Sequence, residues 1–325
     1  PTLPEVLGTT QPKGNYANLK TKGWELILSW RDNFKLAGSD FHYGVKFMLW
    51  DSQSWITKYN NATGKLSDYY EGYRIGDIWG YNIEGLFTSY DEIANHADQD
   101  YIKISDSKIW QPGDLKFADL NGDGKIDKGA QTLSDHGDLV IVGNEEERYH
   151  YGFNLNVGWK GIGISAFFQG VGKRDWYPGQ ETGFFWGKYN RPYGYSLKMH
   201  ENRWTEENPN PNAYWPRLVG YSSENGGRPM GTPNNRYMQD ASYLRLKALT
   251  VDYSLPQAWV SKLGLTGLKI YFTGENLFTF SNICENFDPE VIKGGDVDLK
   301  DRKGEEQGYS YPMLKTYTVG LNVSF

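Results

Sequence analysis

Residues 119–127, DLNGDGKID, concentrate oxygen donors at a spacing that suits a cation. Asp119, Asn121 and Asp123 occupy the first, third and fifth positions of a loop, Gly124 the sixth, the Lys125 carbonyl the seventh and Asp127 the ninth. An all-oxygen set with a glycine at the sharp turn fits a hard ion, Ca²⁺ above all. The twelfth position is Ala130 instead of Glu, so a bidentate ligand would come from Asp127, Asp135, Asp138 or water. The same spacing also builds an Asx-rich turn that satisfies its own backbone amides without metal. Either way the segment stiffens a loop, because nothing beside it carries catalytic chemistry.

A second constellation is aromatic. Between residues 176 and 215 lie Trp176, Trp186, Tyr189, Trp204 and Trp215, interleaved with Gly, Asn, Pro and Arg191. Rings flanked by amides and a guanidinium can stack on sugar faces or grip peptide backbones, which makes these six residues candidate substrate contacts. The alternative is that the rings pack into a small core of their own.

Catalytic patterns are absent. His42, His96, His136, His150 and His200 are scattered with no HExxH, and there is no nucleophile elbow, phosphate loop or dinucleotide fingerprint. Glu145, Glu146 and Glu147 read as a solvated turn. A glycosidase dyad assembled from distant loops has no positive support. The expectation is therefore no enzyme. The 34 Lys+Arg against 40 Asp+Glu leave a net charge of −6, without the basic surface that nucleic acid requires. The one cysteine, Cys284, forms neither an internal disulfide nor a thiolate metal site.

The elements that would carry these loops follow from period-two alternation. From Tyr149 to Lys160 the odd positions are Tyr, Tyr, Phe, Leu, Val and Trp, and the even ones His, Gly, Asn, Asn, Gly and Lys. A strand of that length spans ~40 Å, beyond the ~17–20 Å usual in soluble sheets. Trp24–Arg31, Tyr43–Leu49, Ile162–Phe168, Leu268–Phe272 and the final ten residues alternate likewise, and Tyr243–Leu255 does so with a phase shift between Leu246 and Leu249 that implies a bulge. Lys160-Gly161 reads as a tight hairpin turn. Aromatics close several strands at both ends, as in a membrane barrel with its girdles. Seven or so strands separated by long stretches at 52–148, 173–241 and 282–312, with no convincing amphipathic helix, give an all-β fold: a transmembrane antiparallel β-barrel with long extracellular loops. The bland alternative is a soluble extracellular glycan-binding β-sandwich, since soluble sheets also alternate. The opening Pro1-Thr2-Leu3-Pro4-Glu5 has no basic or apolar leader character, so no signal peptide is expected at this end: either the protein is not exported, or the chain lacks its native start.

Several strings, in order along the chain, resemble one family. GYRIGDIWGYNIEGLF at 72–87, KFADLNGDGKID at 116–127, NRWTEENPNPNAYWPRL from 202, YMQDASYLRLKALTVDYSLP at 237–256, GENLFTF at 274–280, FDPE at 287–290 and the closing YPMLKTYTVGLNVSF together resemble the C-terminal portion of SusC/RagA-type TonB-dependent outer-membrane transporters. The resemblance implies a 22-stranded barrel with an N-terminal plug, importing glycans or peptides with a SusD-like surface lipoprotein and energy from TonB. It places the protein in the outer membrane of a Gram-negative bacterium of the Bacteroidota type, in contact with lipid. On that basis residues 1–325 form the C-terminal part of one barrel domain, and the plug and N-terminal strands lie outside the chain.

Overall fold

The computed structural model describes residues 17–102, 109–179, 182–189, 194–218, 230–292 and 311–325. Seven long strands form one antiparallel sheet: β1 (Ala17–Leu36), β2 (Ser39–Tyr59), β7 (Arg148–Trp159), β8 (Ile162–Lys173), β11 (Tyr243–Ser254), β12 (Gly267–Ser281) and β13 (Thr316–Ser324), adjacent in that order. Short strands within the connections pair two by two: β3 (Asp77–Gly80) with β6 (Val140–Asn144), β4 (Ile83–Leu86) with β5 (Leu115–Phe117), and β9 (Asp175–Trp176) with β10 (Gln239–Asp240).

Alternation fixes what each face of the large sheet presents. Residues directly opposite in an antiparallel pair point to the same side. One register row crosses all seven strands as Phe34, Phe41, Trp159, Ile162, Tyr253, Ile270 and Leu321. A second row on the same side runs Trp30, Val45, Leu155, Ala166, Leu249, Gly274 and Tyr317. The opposite side carries Arg31, Gly44, Asn156, Ser165, Thr250, Thr273 and Thr318 in one row, with the Thr250 and Thr273 hydroxyls 2.8 Å apart. The sheet is thus apolar on one side and polar on the other along its whole width.

Among the described residues no second layer covers the apolar side. Phe34 is 48% exposed, Ile162 45%, Ile270 43% and Leu321 65%, and every other sheet among the described residues is a two-stranded pair within the connections. A sandwich would bury these rows against a facing sheet, so the soluble-sandwich alternative does not match the fold. Among the described residues no helix is long and apolar enough to cross a membrane.

The expected hairpin at Lys160-Gly161 is present, both residues having positive φ (49° and 83°), as a two-residue primed turn requires. The expected bulge lies between Leu246 and Ala248. The structure extends two strands beyond their legible cores: β1 has 20 residues and β2 21, joined by a similar turn at Ala37-Gly38 (φ 48° and 76°). Tyr149, which continues the apolar alternation in the sequence, has φ 56° and is itself unpaired with β8, although the register is unbroken on either side of it, Arg148 pairing with Lys173 and His150 with Val171.

The long connections, 60–147, 174–242 and 282–315, all leave the same end of the sheet, and the short ones close the other end. The long connections share a core of their own, built on Phe117, Ile126, Leu115, Ile102, Phe185 and Trp215 among others. They form a folded layer at that end.

Candidate functional site

The five proposed metal ligands lie in one exposed loop that carries a dense set of side-chain to backbone bonds. Asp119 accepts from the amides of Gly122 (2.7 Å) and Gly124 (2.9 Å), one on each oxygen. Asn121 Oδ1 accepts from Asp123 N at 2.9 Å and its amide donates to Asp123 Oδ2 at 3.1 Å. Asp123 Oδ1 takes the Lys125 amide at 2.8 Å, and Asp127 Oδ1 the Gly129 amide at 2.7 Å. Each of these oxygens keeps a lone pair after its amide bond, so the donor set retains room for a hard cation. Asp138 has a different role. Its carboxylate is 1% exposed and ties the Leu120 and Asp127 amides at 2.8 and 2.9 Å, closing the loop at its base. Asp135 is held by the Ala130 amide at 3.1 Å. Among the described residues no three His, Cys, Asp or Glu side chains gather into a metal-holding group, so coordination here would also draw on Asn121 and the Lys125 carbonyl.

The aromatic set is brought together, but facing inward. Trp176 is 1% exposed, Trp186 2%, Tyr189 2%, Trp204 8% and Trp215 0%. Trp215 stacks on Tyr189 and Tyr237 at centroid distances of 5.1 and 5.2 Å, while Trp186 meets Phe185 edge-on at 4.7 Å. Trp176 packs on Phe287 at 4.9 Å. Their polar tips are largely absorbed too: Trp186 Nε1 donates to Gly179 O, Trp215 Nε1 to Met199 O and the Tyr189 hydroxyl to Pro216 O. These rings are the core of the loop layer, and the faces a ligand would use are covered by one another. Arg191 lies outside the described residues. His200 completes the cluster as a neutral imidazole: Nδ1 accepts from Leu197 N at 2.9 Å and Nε2 donates to Phe185 O at 2.7 Å. Burial holds its pKa below the ordinary histidine range.

A third grouping has no counterpart in the sequence-based expectations. Arg245, 3% exposed on the polar side of β11, donates to Asp288 at 2.6 Å, Glu290 at 2.5 Å and Thr279 Oγ1 at 2.8 Å. Lys247 reaches the other oxygen of Glu290 at 2.7 Å, and Asp288 also receives the Met313 amide at 2.9 Å. The segment FDPE is thereby folded back onto the sheet, with Phe287 inserted against Trp176. Two strings that carry the family resemblance, SYLRLK and FDPE, are the two halves of this clamp. A pair of cations in an otherwise apolar strand was the available signal. The carboxylates that answer them lie far along the chain.

No family model matches the sequence. The chain is 26% identical over 338 residues to TonB-dependent receptor P3 of Formosa agariphila, matching 99% of this chain and 30% of that receptor. It is 28% identical over 336 residues to TonB-dependent receptor P26 of the same organism, matching 100% of this chain and 31% of the receptor. Among solved structures, the RagAB peptide transporter superposes with a TM-score of 0.64 at 20% identity, covering 100% of this chain and 31% of the other. The RagAB peptide importer in its open-open state gives 0.63 at 19% identity. Along its whole length this chain is similar in sequence to TonB-dependent receptors, spanning about 30% of each, and in fold it resembles about 31% of the RagAB transporter, with seven long strands in one sheet and the loop layer they carry.

Proposed function

We propose that the chain is part of the wall of a TonB-dependent importer in the outer membrane of a Gram-negative bacterium, taking up oligosaccharides or peptides together with a SusD-like surface lipoprotein. One observation carries this reading: seven apolar side chains in register on an uncovered face, with a polar row behind them. Lipid satisfies the first row and a water-filled lumen the second. Binding and release, not covalent chemistry, is the activity. The full-length protein is expected to remain with the membrane pellet and to need detergent for extraction; recovery in the aqueous phase without detergent would refute the assignment.

Within that protein, Asp119, Asn121, Asp123, Asp127 and the Lys125 carbonyl hold a structural Ca²⁺, which stiffens the loop layer. Adding a chelator to the full-length protein should raise amide hydrogen exchange several-fold across residues 114–138 and leave the wall strands unchanged. Identical exchange with and without chelator would assign the loop to its amide bonds alone.

A further inference from the structure

The loop layer also carries aromatic rings that reach its surface, outside the buried set at 176–215. Tyr69 is 49% exposed and touches two half-buried tyrosines: Tyr59, the last residue of β2, edge-on at 5.8 Å, and Tyr73 at 5.7 Å. Tyr73 in turn meets Tyr70 at 5.1 Å. Tyr70 is nearly buried, and its hydroxyl accepts from Trp79 Nε1 at 3.3 Å, the indole itself being packed against the core of the layer. The run of rings is thus held from behind while its outer members keep area open to solvent. Rings locked by their neighbours lose little freedom when a ligand arrives.

The backbone beside the rings narrows what they can bind. Residues 72–75 lie along β2 as an added stretch of strand: Ile56 N donates to Tyr73 O at 2.8 Å, Gly72 N to Ile56 O at 2.9 Å and Ile75 N to Ser54 O at 3.0 Å. On the outer side of that stretch the Tyr73 amide donates to Tyr70 O, and Arg74 O accepts from Asp77 N, both at 3.1 Å. An extended peptide is captured by pairing with a free strand edge, and here the chain's own turns occupy those groups. What remains is ring surface with hydroxyls at its rim, the combination that stacks on a sugar face and bonds its edge. Charge narrows the choice again. Asp68 and Glu71 are exposed beside Tyr69 in the chain, and burial, followed by the charges of Asp77 and Glu145, pushes the Tyr73 pKa up to about 12, so its hydroxyl stays a neutral donor. Against these acids stand Lys58 and Arg74, the latter paired with Asp77 at 2.9 Å. A surround with more carboxylates than cations accepts bonds from sugar hydroxyls and repels a uronate or a sulfate.

We propose that Tyr59, Tyr69 and Tyr73 form a platform on the loop layer that binds a neutral oligosaccharide. The proposal rests on the importer reading, and its test separates the two. The full-length protein, purified in detergent, is titrated calorimetrically with neutral oligosaccharides of glucose, galactose, xylose and mannose, with oligomers of galacturonate and guluronate, and with a mixed peptide digest. At least one neutral series binds. Tyr69→Ala and Tyr59→Ala each weaken that binding about tenfold, while Tyr69→Phe, which keeps the ring, stays close to wild type. Unchanged heat-modifiable mobility of the alanine variants shows that the fold is retained. Equal binding of the neutral sugar by wild type and Tyr69→Ala overturns the platform, and so does the absence of binding by every neutral series. Binding of the uronate oligomers or of the peptides that is lost in Tyr69→Ala overturns the sugar class in favour of those ligands. Each of these results leaves the importer reading intact as long as the protein stays with the membrane pellet; recovery of wild type in the aqueous phase without detergent removes that reading itself.

Discussion

An arginine in place of Leu155 keeps the full-length protein from assembling in the membrane. Leu155 lies in the middle of β7, flanked in register by Val45 and Ala166 on the uncovered apolar face. A guanidinium there must be desolvated in hydrocarbon, at about 2–4 kcal/mol near the midplane of a barrel wall. The effect depends on depth. Val157→Arg, two residues nearer the β7–β8 turn, lets the side chain reach the headgroups and is milder. Ser165→Arg places the same charge on the polar face between Asn156 and Thr250 and should insert normally. Heat-modifiable mobility and membrane recovery of the three variants give the order: Leu155→Arg worst, Val157→Arg intermediate, Ser165→Arg near wild type. Equal recovery of Leu155→Arg and wild type would mean that the face assignment is inverted or that the sheet is not a wall.

The same residues explain why the wall could be read in advance. In β7 every apolar residue from Tyr151 to Trp159 falls on an odd position, and a one-residue slip would reverse both faces of the sheet. Period, strand length and the Lys160-Gly161 turn are local properties, and local properties are written locally. The lengths of β1 and β2 were harder to read because Met48 and Trp50 interrupt the apolar count on the polar side. Trp50 sits there because its ring stacks on His150 at 5.2 Å and 6°, a cross-strand contact invisible to periodicity.

The aromatic stretch was legible as composition but not as direction. A Trp among Gly and Asn is equally suited to stack on a ligand or on another part of the loop; which of these occurs depends on whether Trp186, Trp215 and Tyr237 meet, and distant parts of the 174–242 connection must fold together before they do. Their mutual burial gives the loop layer a hydrophobic core independent of the sheet. That core sets the rigidity with which the layer can present any surface to a ligand or partner. Asp138 illustrates the same limit: its spacing admitted it as a metal ligand, and only the fold reveals that two amides occupy it.

The clamp at Arg245 is where a single substitution should cost most. Arg245 is nearly fully buried between two carboxylates, and its Nη1, Nη2 and Nε each bond a different partner. Arg245→Ala leaves Asp288 facing Glu290 with only Lys247 to compensate; removing one member of a buried ionic group destabilises by about 3–5 kcal/mol, largely because the remaining charge is left unpaired. The loss should be local at first. Residues 282–292 detach from the polar face, so protease cleavage and hydrogen exchange rise there, while β7 and β8 retain their protection. Arg245→Lys keeps the charge but lacks the fork that spans two acids, so it should fall between the alanine variant and wild type. Combining Arg245→Met and Lys247→Met with Asp288→Asn and Glu290→Gln removes the charges together and should recover much of the lost stability, because no ion of the group is then left buried without a partner. If the alanine variant protects residues 282–292 as well as wild type does, the ion pairs are incidental, and the strap is held instead by Phe287 against Trp176 and by the Met313 amide on Asp288.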